Sequence, residues 1–181
     1  MASARLVLRS WGFILLRDGY APKRVTNTRD DKVESKFWKD SFAHRRCLVA
    51  ATAFCEPDEG KPARWHWFAL NGEEERPLFA FPGIYRQWKG PIKKAGPNVE
   101  IEVFSFMTTL PNALTETINH ERSPVLLTEE VQFATWLTGS PEEAFGLLRT
   151  SDPEGMRIVR SGFDKKDVPD AARPLAAAEA L

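Results

Sequence analysis

The chain has 181 residues, 43% of them hydrophobic and 28% charged, with a formal net charge of zero. Such a length and balance suit one ordinary globular domain, 1–181, and exclude a disordered chain, a collagen and a coiled coil. The longest apolar runs, such as Cys47 to Phe54 and Pro124 to Leu127, fall far short of the roughly 18 residues that a membrane span needs, so no membrane partner is expected.

The start, Met1-Ala2-Ser3-Ala4-Arg5, has neither the basic region nor the apolar stretch of a secretory signal, so a cytoplasmic location is the expectation. Cys47 and Cys55 are too few and too far from His for a zinc site, and they mark no disulfide framework. Charge is uneven: residues 1–50 carry eleven Lys and Arg against five Asp and Glu. A basic face for an anionic partner is therefore available, although a solvated, salt-bridged surface accounts for the same count.

In chain order, Leu6 to Leu8 and Trp11 to Leu16 read as extended apolar segments. Asp18-Gly19 and Pro22 mark a loop, and Val25 to Arg29 reads as a short strand with Asn27 and Arg29 on one face. The spacing by four of Val33 with Phe37, and of Trp38 with Phe42, predicts an amphipathic helix from about Lys32 to His44. Cys47 to Glu56 reads as buried β structure, with further strands at Trp65 to Leu70, Leu78 to Tyr85, Ile101 to Thr109 and Pro124 to Leu127. Thr128 is placed as the cap of a helix through Leu137. Ser140-Pro141-Glu142-Glu143 is a capping box with Pro at the first helical position, so a helix runs to about Arg149. Ala171 to Leu181 reads as a tail or short terminal helix. The order is mixed α+β without regular βαβ alternation.

Phosphate loops, zinc-protease signatures and nucleophile elbows are absent from the sequence. What remains is polar residues in apolar surroundings: Asn27 and Arg29, Glu56 after Ala53-Phe54-Cys55, and His120 with Arg122 ahead of an apolar strand. A carboxylate at the end of a buried strand suits proton transfer because burial raises its pKa, and an imidazole facing it would be the natural shuttle. Each also has a plainer reading, with Glu56 ending a strand at the surface, His120 a loop residue, Asn27 a turn former and the arginines surface charges. Six tryptophans include possible base-stacking platforms, although Trp65-His66-Trp67 alternates so that both rings share one sheet face, where burial is the simpler reading.

Taken in order, Trp11-Gly12-Phe13, Thr26-Asn27-Thr28-Arg29, Arg45-Arg46-Cys47-Leu48-Val49-Ala50 leading to Phe54-Cys55-Glu56, Thr108-Thr109 and His120-Glu121-Arg122-Ser123-Pro124-Val125-Leu126-Leu127 resemble the SOS response-associated peptidase family. The resemblance implies α+β architecture, with mainly antiparallel sheets curled into a barrel-like core and peripheral helices. It implies a DNA-damage function in which single-stranded DNA is bound and abasic sites are captured as a thiazolidine on an N-terminal cysteine, exposed by self-removal of the initiator Met. By position, Asn27, Glu56 and His120 take the family's catalytic roles, while Trp11, Arg29, Thr109 and Arg122 contact DNA or shape the pocket. No cofactor or metal is implied, and a monomer is expected.

Two departures stand out. The family opens Met-Cys-Gly-Arg with strands ahead of its Trp-Gly element, whereas here residue 2 is alanine and Trp11 follows at once, so the nucleophile and opening strands are expected to be missing. Neither Cys47 nor Cys55 replaces it, since a thiazolidine needs a thiol and an α-amine on one residue. Pro57 stands where the family has Trp. Three readings stay open: a crosslinking enzyme whose start lies upstream, a non-covalent DNA-binding relative of phage or plasmid type, and an inactive structural relative.

Overall fold

A computed structural model describes residues 5–73, 75–118 and 121–165. The first strands are β1 (Ser10–Trp11), β2 (Phe13–Leu15), β3 (Lys23–Val25) and β4 (Asn27–Arg29). A 3-10 turn (Asp30–Lys32) leads to α1 (Lys39–His44), then β5 (Arg46–Ala51), β6 (Phe54–Pro57), β7 (Trp65–Leu70), β8 (Phe79–Pro91) and β9 (Asn98–Thr109). The rest comprises α2 (Ala113–Glu116), β10 (Ser123–Pro124), α3 (Glu130–Thr138), α4 (Pro141–Gly146) and β11 (Met156–Gly162).

The long antiparallel pair β8 and β9 is the spine of the main sheet, with β5 antiparallel to the far edge of β8. Against β9 lie β1 and β4, both parallel to it, and β10, antiparallel. A second sheet has the order β11-β7-β6, all antiparallel, and β2 with β3 forms a separate hairpin. The α+β architecture with a curled, half-barrel main sheet is the one expected from the sequence.

The main sheet has two apolar faces because its strands alternate inward residues on both sides. One face packs Phe13, Ile84, Val103, Met107 and Leu127 against Phe42 of α1 and Trp136 of α3. The other packs Phe79, Phe81 and Phe106 against Phe54, Phe68 and Met156 of the small sheet. Arg46, in the strand that joins the two helices to the sheet, donates to Phe42 O at 3.0 Å and Trp136 O at 2.5 Å. A cation on carbonyls near two helix C-termini satisfies orphan acceptors and complements the helix dipoles.

Several predicted elements change. The helix begins at Lys39 rather than Lys32, since the chain between turns through Ser35 N to Lys32 O at 2.9 Å and Trp38 N to Ser35 O at 3.0 Å. Val33, Trp38 and Phe42 are still buried, so their spacing reports burial and not a continuous helix. The run Cys47 to Glu56 is two strands in two different sheets. The capping box at Ser140 is present, with the Ser140 side chain accepting from Glu143 N, but its helix ends at Gly146. The other helix starts at Glu130 with Glu129 as its cap, not Thr128. The strand β11 has no counterpart among the predicted elements, and the expected tail lies outside the described residues. No helix among the described residues is long and apolar enough to cross a membrane.

Candidate functional site

Buried hydroxyls decide which way the Asn27 strand faces. Thr28 Oγ1 lies 2.9 Å from Ser105 Oγ, which donates to Thr26 O at 2.8 Å, and both hydroxyl residues are fully buried. Alternation then turns Asn27 and Arg29 to the opposite face, where both are exposed. Register places Asn27 beside Phe106 and Arg29 beside Thr108.

Trp11 pairs with Phe104 on the same face. Its ring is stacked on Phe106 (5.5 Å, 19°) and Phe104 (6.5 Å, 16°), and its Nε1 donates to Thr26 O at 3.0 Å. Trp11 is nonetheless 48% exposed. This position requires a glycine next to it: Gly12 has φ +100, and a Cβ there would come within 3.0 Å of Arg24 Cβ.

The stack continues inward through Phe106 to Phe81 at 4.6 Å, to Phe54 at 6.2 Å and to Phe68 at 5.1 Å. Glu56 lies two residues beyond Phe54 on β6, so it shares Phe54's face and is half-buried at the edge of this aromatic row. The adjacent Cys55 points the other way, opposite Trp67. Trp11 and Asn27 on the main sheet and Glu56 on the small sheet thus lie on the faces that carry the aromatic row from Phe106 through Phe81 to Phe54.

His66 pairs with Glu56 across β6 and β7, and its Nδ1 lies 2.8 Å from Ser161 Oγ on β11. The alternation that sets Trp65 and Trp67 on one face sets His66 on the other, which is the signal in the sequence that finds it.

The predicted phosphate contacts are already paired. Arg29 makes a two-pronged contact with Asp31, Nε to Oδ1 and Nη2 to Oδ2, both at 2.9 Å. This holds the Asp31 carboxyl below the usual range. Arg122 binds Asp30 and donates to Thr108 O at 2.8 Å, while Thr109 Oγ1 donates to Asp30 Oδ2 at 2.6 Å. Burial pushes the Asp30 carboxyl up, but the bonds from Thr109 and Arg122 outweigh it and leave the group below its ordinary pKa. His120 lies outside the described residues.

Nothing in the sequence sets Arg24 apart from the other arginines. It is exposed beside Trp11, and its Nη1 donates to Trp11 O at 2.8 Å and Ser10 Oγ at 3.0 Å. Its guanidinium meets no carboxylate among the described residues. No group of three or more His, Cys, Asp or Glu among the described residues is placed to hold a metal ion. A cavity of about 660 Å³ opens elsewhere, lined by Leu126, Gln132, Arg149, Asp152 and Met156 among others, and neither Asn27 nor Glu56 borders it.

Comparison with known proteins matches residues 2–161 to the model of the SOS response associated peptidase (SRAP) family. The chain belongs to the SRAP family. A crystal structure of a protein from Bacteroides thetaiotaomicron is similar to this SRAP chain, with a TM-score of 0.61 and 29% identity over 75% of the chain. The chain spans 58% of that protein. No curated protein matches. The family takes its name from an association with the SOS response.

Proposed function

We propose that this SRAP chain binds single-stranded DNA at abasic sites, in the cleft formed by Trp11, Asn27 and Glu56, without forming a covalent adduct. The observation that carries the reading is the half-exposed Trp11 ring, backed by Phe104 and Phe106. An unstacked base laid on such a ring gains roughly 1–3 kcal/mol, and duplex DNA cannot offer one. Asn27 supplies an amide donor and acceptor beside the ring for the sugar exposed where a base is missing. Glu56 is the proton acceptor and donor for the sugar hydroxyls, with His120 assisting by resemblance to the family.

Arg24 is the cation for the backbone phosphate next to Trp11, since Arg29 and Arg122 are occupied by Asp31 and Asp30. Thr109 and Arg122 then shape the pocket through Asp30 and do not touch DNA. Neither internal cysteine offers covalent capture of the family's kind, since a thiazolidine needs a thiol and an α-amine on one residue, and burial also pushes the Cys47 thiol up to about 11.

The test is fluorescence anisotropy of the full chain with three labelled oligonucleotides: an abasic single strand, an intact single strand and a duplex. The abasic single strand is expected to bind tightest and the duplex weakest, with no adduct on a denaturing gel. Equal affinity for single strand and duplex contradicts the stacking role. An adduct contradicts the non-covalent reading.

A further inference from the structure

The cavity of about 660 Å³ is bordered by none of Trp11, Asn27 and Glu56, and its volume lies within the roughly 300–1,000 Å³ of small-molecule sites. Its floor is aliphatic. Leu70 and Met156 are partners across β7 and β11, and Leu126 follows β10. Met156 and Leu126 are buried members of the core cluster between the sheets, so this floor is as closely packed as the core itself. No aromatic ring lines the cavity among the described residues, which leaves no platform for a nucleobase.

The rim carries two charges of opposite sign, Arg149 and Asp152. Each is anchored to nearby backbone by one atom. Arg149 Nε donates to Gly146 O, at the end of α4, at 2.7 Å, and Asp152 Oδ1 accepts from Glu154 N at 3.0 Å as the cap of a 3-10 turn (Pro153–Gly155). The two terminal guanidinium nitrogens and Asp152 Oδ2 make no hydrogen bond or ion pair among the described residues. The two side chains do not pair with each other either, although three residues of chain span at most roughly 11 Å.

Two neutral groups on the same rim are also left over. Ser151, between the charges, has a buried hydroxyl with no hydrogen bond among the described residues, and such a group costs free energy until a partner reaches it. Gln132 Oε1 accepts from Thr128 N at 2.8 Å and Glu129 N at 3.2 Å, and its amide N–H groups stay unbonded among the described residues.

A simple anion entering this cavity meets Asp152 and a simple cation meets Arg149, whereas a molecule carrying both charges complements the rim. We infer that the cavity binds a small zwitterion with an aliphatic body, a free aliphatic α-amino acid or a short aliphatic peptide with both termini free. The carboxylate is held by Arg149, in the charge-assisted contact that a guanidinium makes best, and the ammonium by Asp152. The aliphatic side chain covers Leu70, Leu126 and Met156, and Ser151 and Gln132 are the neutral groups that the polar end can satisfy. This site is independent of the DNA reading, since it shares no residue with it.

The test is isothermal titration calorimetry of the full chain with L-leucine and with leucyl-leucine, each also blocked at the carboxylate as its amide and at the amine as its N-acetyl form. Whichever of the two free probes binds tighter identifies the source, amino acid or peptide. Either blocked form is expected to bind at least about tenfold more weakly, as for a lost charge-assisted hydrogen bond. Arg149→Gln should weaken the free probe by a similar factor and no longer distinguish it from its amide. Asp152→Asn, which keeps an oxygen for Glu154 N, should no longer distinguish it from its N-acetyl form. Thermal melts establish that the variants are folded, and where one is not, the blocked probes on wild type decide alone. No binding of either free probe at millimolar concentration, equal binding of free and blocked forms, or unchanged binding in the folded variants overturns the inference.

Discussion

Replacing Trp11 separates a stacking platform from a plain structural ring. Trp11 is 48% exposed, so about half of the roughly 200 Å² that a tryptophan presents, about 100 Å², is covered by its neighbours. At about 25 cal/mol per Å² that cover contributes roughly 2.5 kcal/mol, and the bond from Nε1 to Thr26 O adds about 1 kcal/mol. Trp11→Ala therefore threatens the fold itself. Trp11→Leu keeps most of the apolar cover and removes the π face, while Trp11→Phe keeps a ring, and both lose the same Nε1 bond. Their difference isolates stacking. With roughly 1–3 kcal/mol per stacked base, Trp11→Leu should weaken single-strand binding about 5- to 150-fold by anisotropy, and Trp11→Phe only a few-fold. Circular dichroism and thermal melts establish that both variants are folded. A folded Trp11→Leu protein that binds single strands as tightly as wild type refutes the stacking role.

The arginines give the next test. Arg24→Ala should weaken single-strand binding and lower the slope of log K against log salt by roughly 0.7, one phosphate contact, whereas Arg29→Ala should do little. Asp31→Ala frees Arg29 and should strengthen binding, with the slope rising by a similar amount; the two slopes come from one salt series. Gly12→Ala should cost about 1–3 kcal/mol in urea denaturation, since φ is +100 and the added Cβ meets Arg24. For Asp30, the folded pKa lies below the unfolded one, so its stabilisation is full above the ordinary carboxylate range and is lost as pH falls through the folded value. Asp30→Asn should therefore be less stable than wild type at neutral pH, with the gap closing below about pH 4 in denaturant melts.

How much of this was legible in the sequence depends on the range of the interactions. The face shared by Asn27 and Arg29, the capping box at Ser140 and the opposed directions of Cys55 and Glu56 are local consequences of alternation and helix ends, and all are present. Long-range partners were not readable. Thr109 and Arg122 reach Asp30 from 79 and 92 positions away, and both bind that one carboxylate. The strand β11, Met156–Gly162, has no clear alternation, with a register shift between Ile158 and Arg160, yet it delivers Ser161 to His66. Periodic apolar residues between Val33 and Phe42 predict one helix because burial by successive turns leaves the same trace as burial by a helix face.

The most direct test of the central claim is the ratio of dissociation constants for intact and abasic single strands of otherwise identical sequence, measured on wild type and on Asn27→Ala. Recognition of the bared sugar by the Asn27 amide predicts tighter abasic binding in wild type, about tenfold for hydrogen bonding of roughly 1.4 kcal/mol, and a ratio near one in Asn27→Ala. Equal affinity of the wild-type chain for the two strands contradicts the account.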